Sequence, residues 1–237
     1  MKSILVTGAS KGIGLEFSRQ YLHQGHRVFA ASRKPENSLE LQHLKSQYDD
    51  LLVIHQLDVS VEESRHNFYQ TLLTQTEKLD VLINSAGIIA GNEEYDYRFG
   101  NLKQEDIIRT LLVNSVAPLM ITEKVFPLLS ESTQPIVVNI TSDNGSISRR
   151  NSGGKYGYCA SKASLNMITK ILSNELKRNE IIVVALHPGW VKTPMTKNEN
   201  APLEPFESIG GMMHVIESLE MKDTGRFLDW KGNEIPW

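Results

Sequence analysis

The sequence predicts an α/β protein of three layers, in which a doubly wound, mainly parallel sheet of six or seven strands carries helices on both faces. Three observations lead to this prediction. Short apolar runs of strand length alternate with longer amphipathic segments, which is typical of a parallel sheet covered on both sides. A glycine-rich turn directly follows the first apolar run, and the length of 237 residues suits one core in one domain, residues 1–237.

The elements follow from the apolar pattern along the chain. Strands are expected at residues 4–6, 28–31, 51–54, 81–83, 136–138 and 181–184, with a weaker seventh at 225–228. Helices are expected near residues 13–24, 36–47, 61–77, 104–130 and 158–178, and another near 206–219. Because crossovers between parallel strands are right-handed, helices of this length place all the strands parallel.

Composition argues against several classes of protein. The net charge of −3, with both signs mixed along the chain, gives no basic face for nucleic acid or a membrane surface. The longest purely apolar run, residues 181–186, is far shorter than a membrane span. The seven histidines are scattered without a Cys/His cluster, so no metal site is expected. A single cysteine, Cys159, and an apolar start too short for a signal peptide predict a cytoplasmic protein.

The glycine-rich turn has the features of a phosphate cradle. Residues 7–15 carry a TGxxxGxG pattern between the first strand and the first helix. Missing side chains let the backbone approach a phosphate, and the free N–H groups and dipole of the helix favour an anion. The alternative is a tight turn whose glycines serve geometry alone. The predicted cofactor contacts here are Gly8, Ser10, Lys11, Gly12, Ile13 and Gly14.

The candidate catalytic chemistry centres on Tyr158 and Lys162, which lie one helical turn apart at the start of a helical stretch and so share one face. A free tyrosine, with a pKa of about 10, is a poor base. A nearby ammonium is expected to lower that pKa toward the working range. Ser142, after the fifth strand, can donate a hydrogen bond to a carbonyl oxygen as charge develops there. The alternatives are two ordinary helix-surface residues and a serine that only caps a turn.

The end of the second strand indicates the cofactor. Enzymes that use NAD carry an acidic residue there to bind the ribose, whereas a basic residue accommodates the 2′-phosphate of NADP. This chain has Ser32 at that position and Arg33 after it, with Lys11 in the glycine turn as a second cation. An arginine suits phosphate because its planar fork binds two oxygens at once. The residues therefore favour NADP(H) over NAD(H), the alternative being a solvated basic loop.

Together these motifs resemble the short-chain dehydrogenase/reductase family over nearly the whole chain. Asn84-Ser85-Ala86-Gly87 is similar to the NNAG motif of the family, with Ser85 replacing the second asparagine. The order and approximate spacing of the catalytic tetrad of the family are matched by Asn114, Ser142, Tyr158 and Lys162. Pro188-Gly189, followed by Thr193-Pro194, resembles the segment that holds the nicotinamide. The resemblance implies a Rossmann fold and an oxidoreductase that uses a nicotinamide dinucleotide.

Several residue roles follow from the resemblance alone. It implies that the backbone of Asn114 disrupts the helix at 104–130 and holds a water connected to Lys162, where the alternative is a solvent-facing asparagine. It assigns Asp58-Val59 to the adenine and Lys162 to the nicotinamide ribose. The remaining implied cofactor contacts are Asn84, Ala86, Gly87, Tyr158, Pro188, Gly189, Val191 and Thr193.

Two further features resemble the branch with sniffer-type carbonyl reductases and bacterial C-factor (C-signal) proteins. One is the long spacing of 16 positions between Ser142 and Tyr158, and the other is the C-terminal sequence at residues 225–230 and 235–237. This branch implies reduction of a small ketone or aldehyde. Two alternatives stay open: a signalling or interaction protein that binds a dinucleotide, and an NAD-linked alcohol dehydrogenase.

Residues 191–213 form an irregular segment followed by a helical pattern. In a compact domain such a segment predicts a mobile lid. Its apolar side chains favour a hydrophobic carbonyl substrate; they are Met195, Phe206, Met212 and Met213. A homo-oligomer, either a dimer or a tetramer, is left open, since helices 104–130 and 158–178 resemble surfaces through which relatives assemble.

Overall fold

The computed structural model describes residues 1–91, 98–196 and 200–237. Its centre is a sheet of seven strands in the order β3-β2-β1-β4-β5-β6-β7, and every neighbouring pair is parallel. The strands are β1 Ser3–Thr7, β2 Arg27–Ser32, β3 Leu52–Gln56, β4 Val81–Asn84, β5 Ile136–Ile140, β6 Ile182–His187 and β7 Phe227–Asp229. The predicted fold class and the seventh edge strand are both confirmed.

The helices match the predicted segments with some changes of boundary. They are α1 Gly12–His23, α2 Leu39–Gln47, α3 Glu62–Leu73, α4 Gln104–Leu111, α5 Ala117–Ser130, α6 Tyr156–Leu176 and α7 Pro205–Ser218. The predicted helix at 36–47 begins later because Pro35–Asn37 form a 3₁₀ turn and the Ser38 side chain caps α2. The predicted helix at 104–130 is divided, since a π-helical turn, Leu112–Val116, joins α4 to α5.

The core lies in two layers, one on each face of the sheet. Side chains alternate between the faces along a strand, so Ile4 and Val6 of β1 pack with α1, α2 and α7. Leu5, between them, packs with α3, α5 and α6 on the other face. The strands are therefore buried on both sides, as the continuous apolar runs predict. The strand order reverses between β1 and β4, which opens a crevice at the carboxyl ends of these strands.

One helical stretch has the length and apolar composition of a membrane span, Gln104–Ser130. Half of its apolar window is buried inside the protein. The buried side chains include Ile121, Val125 and Leu129 of α5, which belong to the core against the sheet. This packing explains the apolar composition as that of a core helix.

The predicted lid is too long at its C-terminal end. Met212 and Met213 lie in α7 and are buried in the core, where α7 packs against α1. They cannot be lid residues, because their side chains hold a structural helix in place. Met195 and Phe206 are exposed, and residues 197–199 of the predicted lid lie outside the described residues.

Candidate active site

A cavity of about 1120 Å³ opens at the carboxyl ends of the strands, at the point where the strand order reverses. It runs along the glycine-rich turn, the ends of β2, β3, β4 and β5, and the first turns of α6. The predicted cofactor residues in its wall are Gly8, Ser10, Lys11, Gly12, Ile13, Gly14, Arg33, Asp58, Val59, Ala86, Gly87, Tyr158, Lys162, Pro188 and Thr193. The fold therefore brings together most of the residues that the sequence singled out.

The glycines of the turn are required by close backbone contacts. A Cβ on Gly14 would lie 2.5 Å from the carbonyl oxygen of Gly8, and one on Gly8, whose φ is +69°, would lie 2.8 Å from Ala86 Cα. The Thr7 hydroxyl fastens the same two turns by accepting hydrogen bonds from the N–H groups of Ser85 and Ala86, both at 3.1 Å. These contacts hold the turn after β1 against the turn after β4.

The start of α1 is suited to an anion. Lys11 is its N-cap residue, and its side chain makes no capping hydrogen bond. N–H groups in the first turn of a helix have no partner within the helix, and the helix dipole adds positive potential there. The turn that the sequence predicts as a phosphate cradle therefore has the geometry for one.

The end of the cavity beside β2 is basic. Arg33 and Lys34 have exposed side chains in its wall, and Lys11, on the glycine turn, also lines the cavity. Ser32, at the predicted acidic position, is buried, and its hydroxyl has no hydrogen-bond partner within the described residues. Lys34 is not among the predicted cofactor residues, although its charge beside Arg33 is a usable signal in the sequence. A wall with several cations and an unpaired buried hydroxyl fits a phosphorylated ribose.

Asp58 and Val59 form the neighbouring part of the wall. Asp58 Oδ1 accepts hydrogen bonds from the backbone N–H and the hydroxyl of Ser60, at 3.0 and 2.6 Å. Arg109 and Val113, from α4 and the π-helical turn, also line the cavity. Arg109 and Val113 are not among the predicted residues, because they lie in a helical stretch outside any motif. Only the tertiary fold brings that stretch to the cavity.

Three predicted cofactor residues do not line the cavity, and their contact with the cofactor stays a prediction. The Asn84 amide donates to Thr122 Oγ1 and Asn139 Oδ1 in the interior, at 3.2 and 2.9 Å. Gly189 packs closely under Leu203 and Trp230, and Val191 is buried and bridged to Leu203. Each is next to or near a residue that does line the cavity.

Tyr158 and Lys162 lie together in the first turns of α6, with Lys162 Nζ 5.8 Å from the centre of the Tyr158 ring. The ammonium donates a hydrogen bond to the carbonyl oxygen of Ile140, at 2.8 Å. The Ser142 side chain lies beside the Tyr158 hydroxyl and acts to lower its pKa. Its oxygen also accepts from the N–H of Asn144, at 3.2 Å, and so caps a 3₁₀ turn, Asp143–Gly145. Ser142 therefore both faces Tyr158 and caps a turn.

The expectation that the pKa of Tyr158 is brought down toward the working range is wrong for this structure, because the net shift of that pKa is upward. Desolvation raises the pKa of Tyr158 to about 12. The Ser142 side chain lowers this pKa, and the charge of Asp143 raises it further. Desolvation also lowers the pKa of Lys162, to about 8. Burial dominates because both groups lie inside the wall of the site, where charge is disfavoured. Tyr158 is therefore protonated at neutral pH.

Asn114 is completely buried within the π-helical turn, so the alternative of a solvent-facing asparagine is wrong. Its Oδ1 accepts from the N–H of Ile88 at 2.8 Å, and its Nδ2 donates to the Ile88 carbonyl at 2.9 Å and to Ser161 Oγ at 3.0 Å. Single π-helical turns inside helices are frequent at functional sites. Here the turn ties the segment after β4 to the start of α6, which carries Tyr158.

Comparison with known proteins agrees with this geometry. A family model described as short chain dehydrogenase matches residues 2–204. The chain belongs to the short-chain dehydrogenase family. The family and its relatives make the protein an oxidoreductase that acts on a carbonyl or its alcohol.

Particular members of the short-chain dehydrogenase family resemble the chain closely. The C-signal protein of Myxococcus xanthus is 37% identical over 162 residues, which are 68% of this chain and 95% of that protein. The NADPH-bound carbonyl reductase from chicken fatty liver superposes with a TM-score of 0.90 at 33% identity, covering 100% of this chain and 99% of that one. The carbonyl reductase Sniffer of Drosophila melanogaster superposes with a TM-score of 0.92 at 30% identity, and both chains are covered completely. The predicted resemblance to this branch is confirmed.

Proposed function

We propose that this protein reduces ketones or aldehydes with NADPH and that Tyr158 donates the proton. The observation that carries the proposal is one continuous cavity. Its wall holds a phosphate cradle with Lys11 and Arg33 at one end and Tyr158 with Lys162 at the other. A protein that only bound a dinucleotide would have no chemical need for a tyrosine and a serine that meet beside the cavity. The solved relatives described as carbonyl reductases, one of them with NADPH bound, support the same reaction.

The wall residues fit NADPH part by part. The glycine turn and the start of α1 would hold the pyrophosphate, and Arg33, Lys11 and Lys34 the 2′-phosphate. Asp58 and Val59 would contact the adenine. Lys162 would bind the nicotinamide ribose, and Pro188 and Thr193 the nicotinamide. Ser32 occupies the position at which NAD enzymes carry a carboxylate, and its buried hydroxyl has no partner within the described residues. A carboxylate there would repel the 2′-phosphate, so the serine favours NADPH over NADH.

NADPH, when bound, supplies a hydride to the carbonyl carbon of the substrate. Ser142 and Tyr158 donate hydrogen bonds to the carbonyl oxygen, on which negative charge develops. Tyr158 then transfers its proton to that oxygen. Because burial raises the pKa of Tyr158 to about 12, the hydroxyl is protonated and ready to donate at neutral pH, which suits reduction better than oxidation.

Lys162 and Asn114 support the proton donor. The cation of Lys162 stabilises the phenolate that Tyr158 leaves behind, since opposite charges attract strongly in a desolvated site. Asn114 holds Ile88 and Ser161 in place, and its backbone in the π-helical turn completes a water-linked path from Lys162 for replacing the proton.

The decisive experiment is Tyr158→Phe, assayed with a panel of aromatic and aliphatic carbonyl compounds while NADPH absorbance is followed. We expect kcat to fall about 10²–10⁴-fold, the usual contribution of a general acid, while the Kd for NADPH stays unchanged. Tyr156→Phe is the matched control, because this tyrosine lies two residues earlier in α6 and is 44% exposed. Full turnover by Tyr158→Phe would refute the proposed role.

The substrate side of the cavity is apolar. Met195 and Pro194 line it, and the Met195 side chain is 40% exposed. We propose that, of the described residues, 191–196 and 200–204 before α7 belong to the lid and that it covers a hydrophobic carbonyl compound. Met195→Glu should then raise KM for aromatic aldehydes more than for short aliphatic ones.

A signalling role is the second candidate function, favoured by the identity to the C-signal protein. The two functions make different demands on Tyr158. If a biological effect of the protein survives Tyr158→Phe while turnover is lost, binding rather than catalysis carries that effect.

We also propose that the protein forms a homo-oligomer through α4, α5 and α6. Apolar side chains on these helices and on the π-helical turn between α4 and α5 are exposed to solvent: Ile108, Val116, Met167 and Ile171. Covering them in a symmetric pair would remove apolar surface from water. Light scattering of the wild type and of Met167→Glu would test this. A cytoplasmic location stays a prediction.

A further inference from the structure

The connection between Ser142 and Tyr158 contains a chain of hydrogen bonds that starts at Arg150 and ends at the Ser142 hydroxyl. Arg150 Nη1 donates to Asn144 Oδ1 at 2.8 Å, and Asn144 Nδ2 donates to Ser142 Oγ at 3.2 Å. The backbone N–H of Asn144 donates to the same oxygen, also at 3.2 Å. Ser142 Oγ thus accepts two hydrogen bonds from one residue.

The other arm of the same guanidinium reaches the start of α6. Arg150 Nη2 donates to the carbonyl oxygens of Gly153 and Gly154, both at 3.0 Å. Gly154 and Lys155 have φ values of +83° and +53°, a left-handed turn that points these carbonyls at Arg150 immediately before the helix with Tyr158. One side chain therefore fixes both ends of the connection between the two proposed hydrogen-bond donors.

The chemistry of the two side chains decides which way the Asn144 amide faces. A guanidinium has donors and no acceptor, whereas an amide has one acceptor end and one donor end. Arg150 therefore holds Oδ1 toward itself and turns Nδ2 toward Ser142. The serine oxygen then accepts two hydrogen bonds from Asn144. Its own hydrogen is therefore directed away from Asn144 and is available for donation to another acceptor. In this structure that hydrogen goes to Asp143 Oδ1, at 3.1 Å, on a carboxylate that is half exposed.

We propose that Arg150 and Asn144 are positioning residues that keep the Ser142 hydroxyl a donor toward the substrate carbonyl. This inference rests on the role of Ser142 in the proposed function. Without Arg150, Asn144 Oδ1 keeps only the long contact from Cys159 Sγ, at 3.9 Å. The amide can then turn by half a turn and present Oδ1 to Ser142, opposed only by the hydrogen bonds that Nδ2 donates to Ser142 Oγ and Asp143 Oδ1, both at 3.2 Å. The amide oxygen then accepts the serine hydrogen that the substrate oxygen needs in the transition state. Arg150 and Asn144 both lie in the long connection between Ser142 and Tyr158.

The test combines Arg150→Met with Ser142→Ala, using 4-nitrobenzaldehyde and NADPH as probe substrates. We expect Arg150→Met to lower kcat about ten-fold, as the loss of one oriented donor does, with the Kd for NADPH unchanged. In the Ser142→Ala background the same substitution should change kcat less than about two-fold, because the group on which Arg150 acts is gone. Arg149→Met removes the same charge from the same loop and is the matched control, since no side-chain hydrogen bond of Arg149 occurs within the described residues.

The outcomes separate this inference from the proposed function. An equal loss of kcat in both backgrounds, or no loss in either, would overturn the positioning role while leaving Ser142 catalytic. Full turnover by Ser142→Ala alone would instead overturn the proposed function and the inference with it. If Arg150→Met does not fold, Asn144→Asp carries the same test. It keeps the size of the side chain and its bond to Arg150, but it presents an acceptor to Ser142, so the same dependence on Ser142 is expected.

Discussion

Lys162 lies with its ammonium 5.8 Å from the centre of the Tyr158 ring and donates a hydrogen bond to the carbonyl oxygen of Ile140. Desolvation moves both groups toward their neutral forms, lowering the pKa of Lys162 to about 8 and raising that of Tyr158 to about 12. The site thus holds a protonated tyrosine hydroxyl and a cation that is costly to bury. That cost should be measurable as a pH-dependent free energy of unfolding.

Replacing Lys162 should stabilise the ligand-free protein at neutral pH. The folded pKa of about 8 lies below the ordinary value of 10.5, so the unfolded chain binds more protons between these values and wild-type stability rises across this window. Below pH 8 the burial costs on the order of 3 kcal/mol. Lys162→Met should therefore be more stable than wild type at pH 7, and the difference should shrink toward pH 10.5. Thermal unfolding at several pH values measures it, with Lys170→Met, exposed on the same helix, as the control.

Arg33→Ala should change the choice of cofactor. The Kd for NADPH should rise about ten- to a hundred-fold, since a hydrogen bond to a charged group contributes about 1.5–3 kcal/mol, while the Kd for NADH should stay the same. Fluorescence titration with both dinucleotides measures this. Arg178→Ala, on the surface after α6, controls for loss of charge. An unaltered preference would remove Arg33 from the phosphate site and revive the NAD-linked alcohol dehydrogenase.

Gly145 should tolerate no side chain, because a Cβ there would lie 2.8 Å from the carbonyl carbon and 2.9 Å from the Cβ of Lys162. Gly145→Ala must push α6 away from the turn after β5, which should cost about 1–3 kcal/mol of stability and lower kcat by separating Ser142 from Tyr158. Gly153→Ala is the matched control, since a Cβ there meets nothing within 4 Å. Denaturant unfolding and kcat together check the pair, and equal behaviour of the two variants would contradict the prediction.

Asp143→Asn should shift the pH dependence of carbonyl reduction. The charge of Asp143 raises the pKa of Tyr158, so its removal lowers that pKa. The reaction loses its proton donor above this pKa, and the fall in kcat/KM on the alkaline side should therefore begin at a lower pH than in wild type. A profile measured from pH 7 to the alkaline limit of stability decides it; a shift to higher pH would argue against Tyr158 as the donor.

The sequence was sufficient for the parts of the site that local pattern determines. Strand runs and the spacing of Gly8, Gly12 and Gly14 depend on neighbours along the chain, and both are found where they were expected. Tyr158 and Lys162 share a helix face for the same reason.

The features that were missed depend on contacts between distant segments. Met212 was assigned to the lid, although a helix was expected there, and only the packing of that helix against α1 shows that Met212 belongs to the core. Arg109 reaches the cavity only because α4 crosses its edge. The direction of the Tyr158 pKa depends on how much protein surrounds the hydroxyl, which no spacing of residues expresses.

The π-helical turn at Leu112–Val116 also sets the rotational phase between two helices. An extra residue in a turn rotates everything beyond it by about 100°. With this offset α4 presents Arg109 to the cavity while α5 presents Ile121 and Val125 to the sheet. Deleting one residue from the turn would restore a regular helix and bring these two faces out of phase. Arg109 could then no longer line the cavity while Ile121 and Val125 pack against the sheet. A deletion in this turn would therefore remove either the cavity wall or the core contacts of the helix.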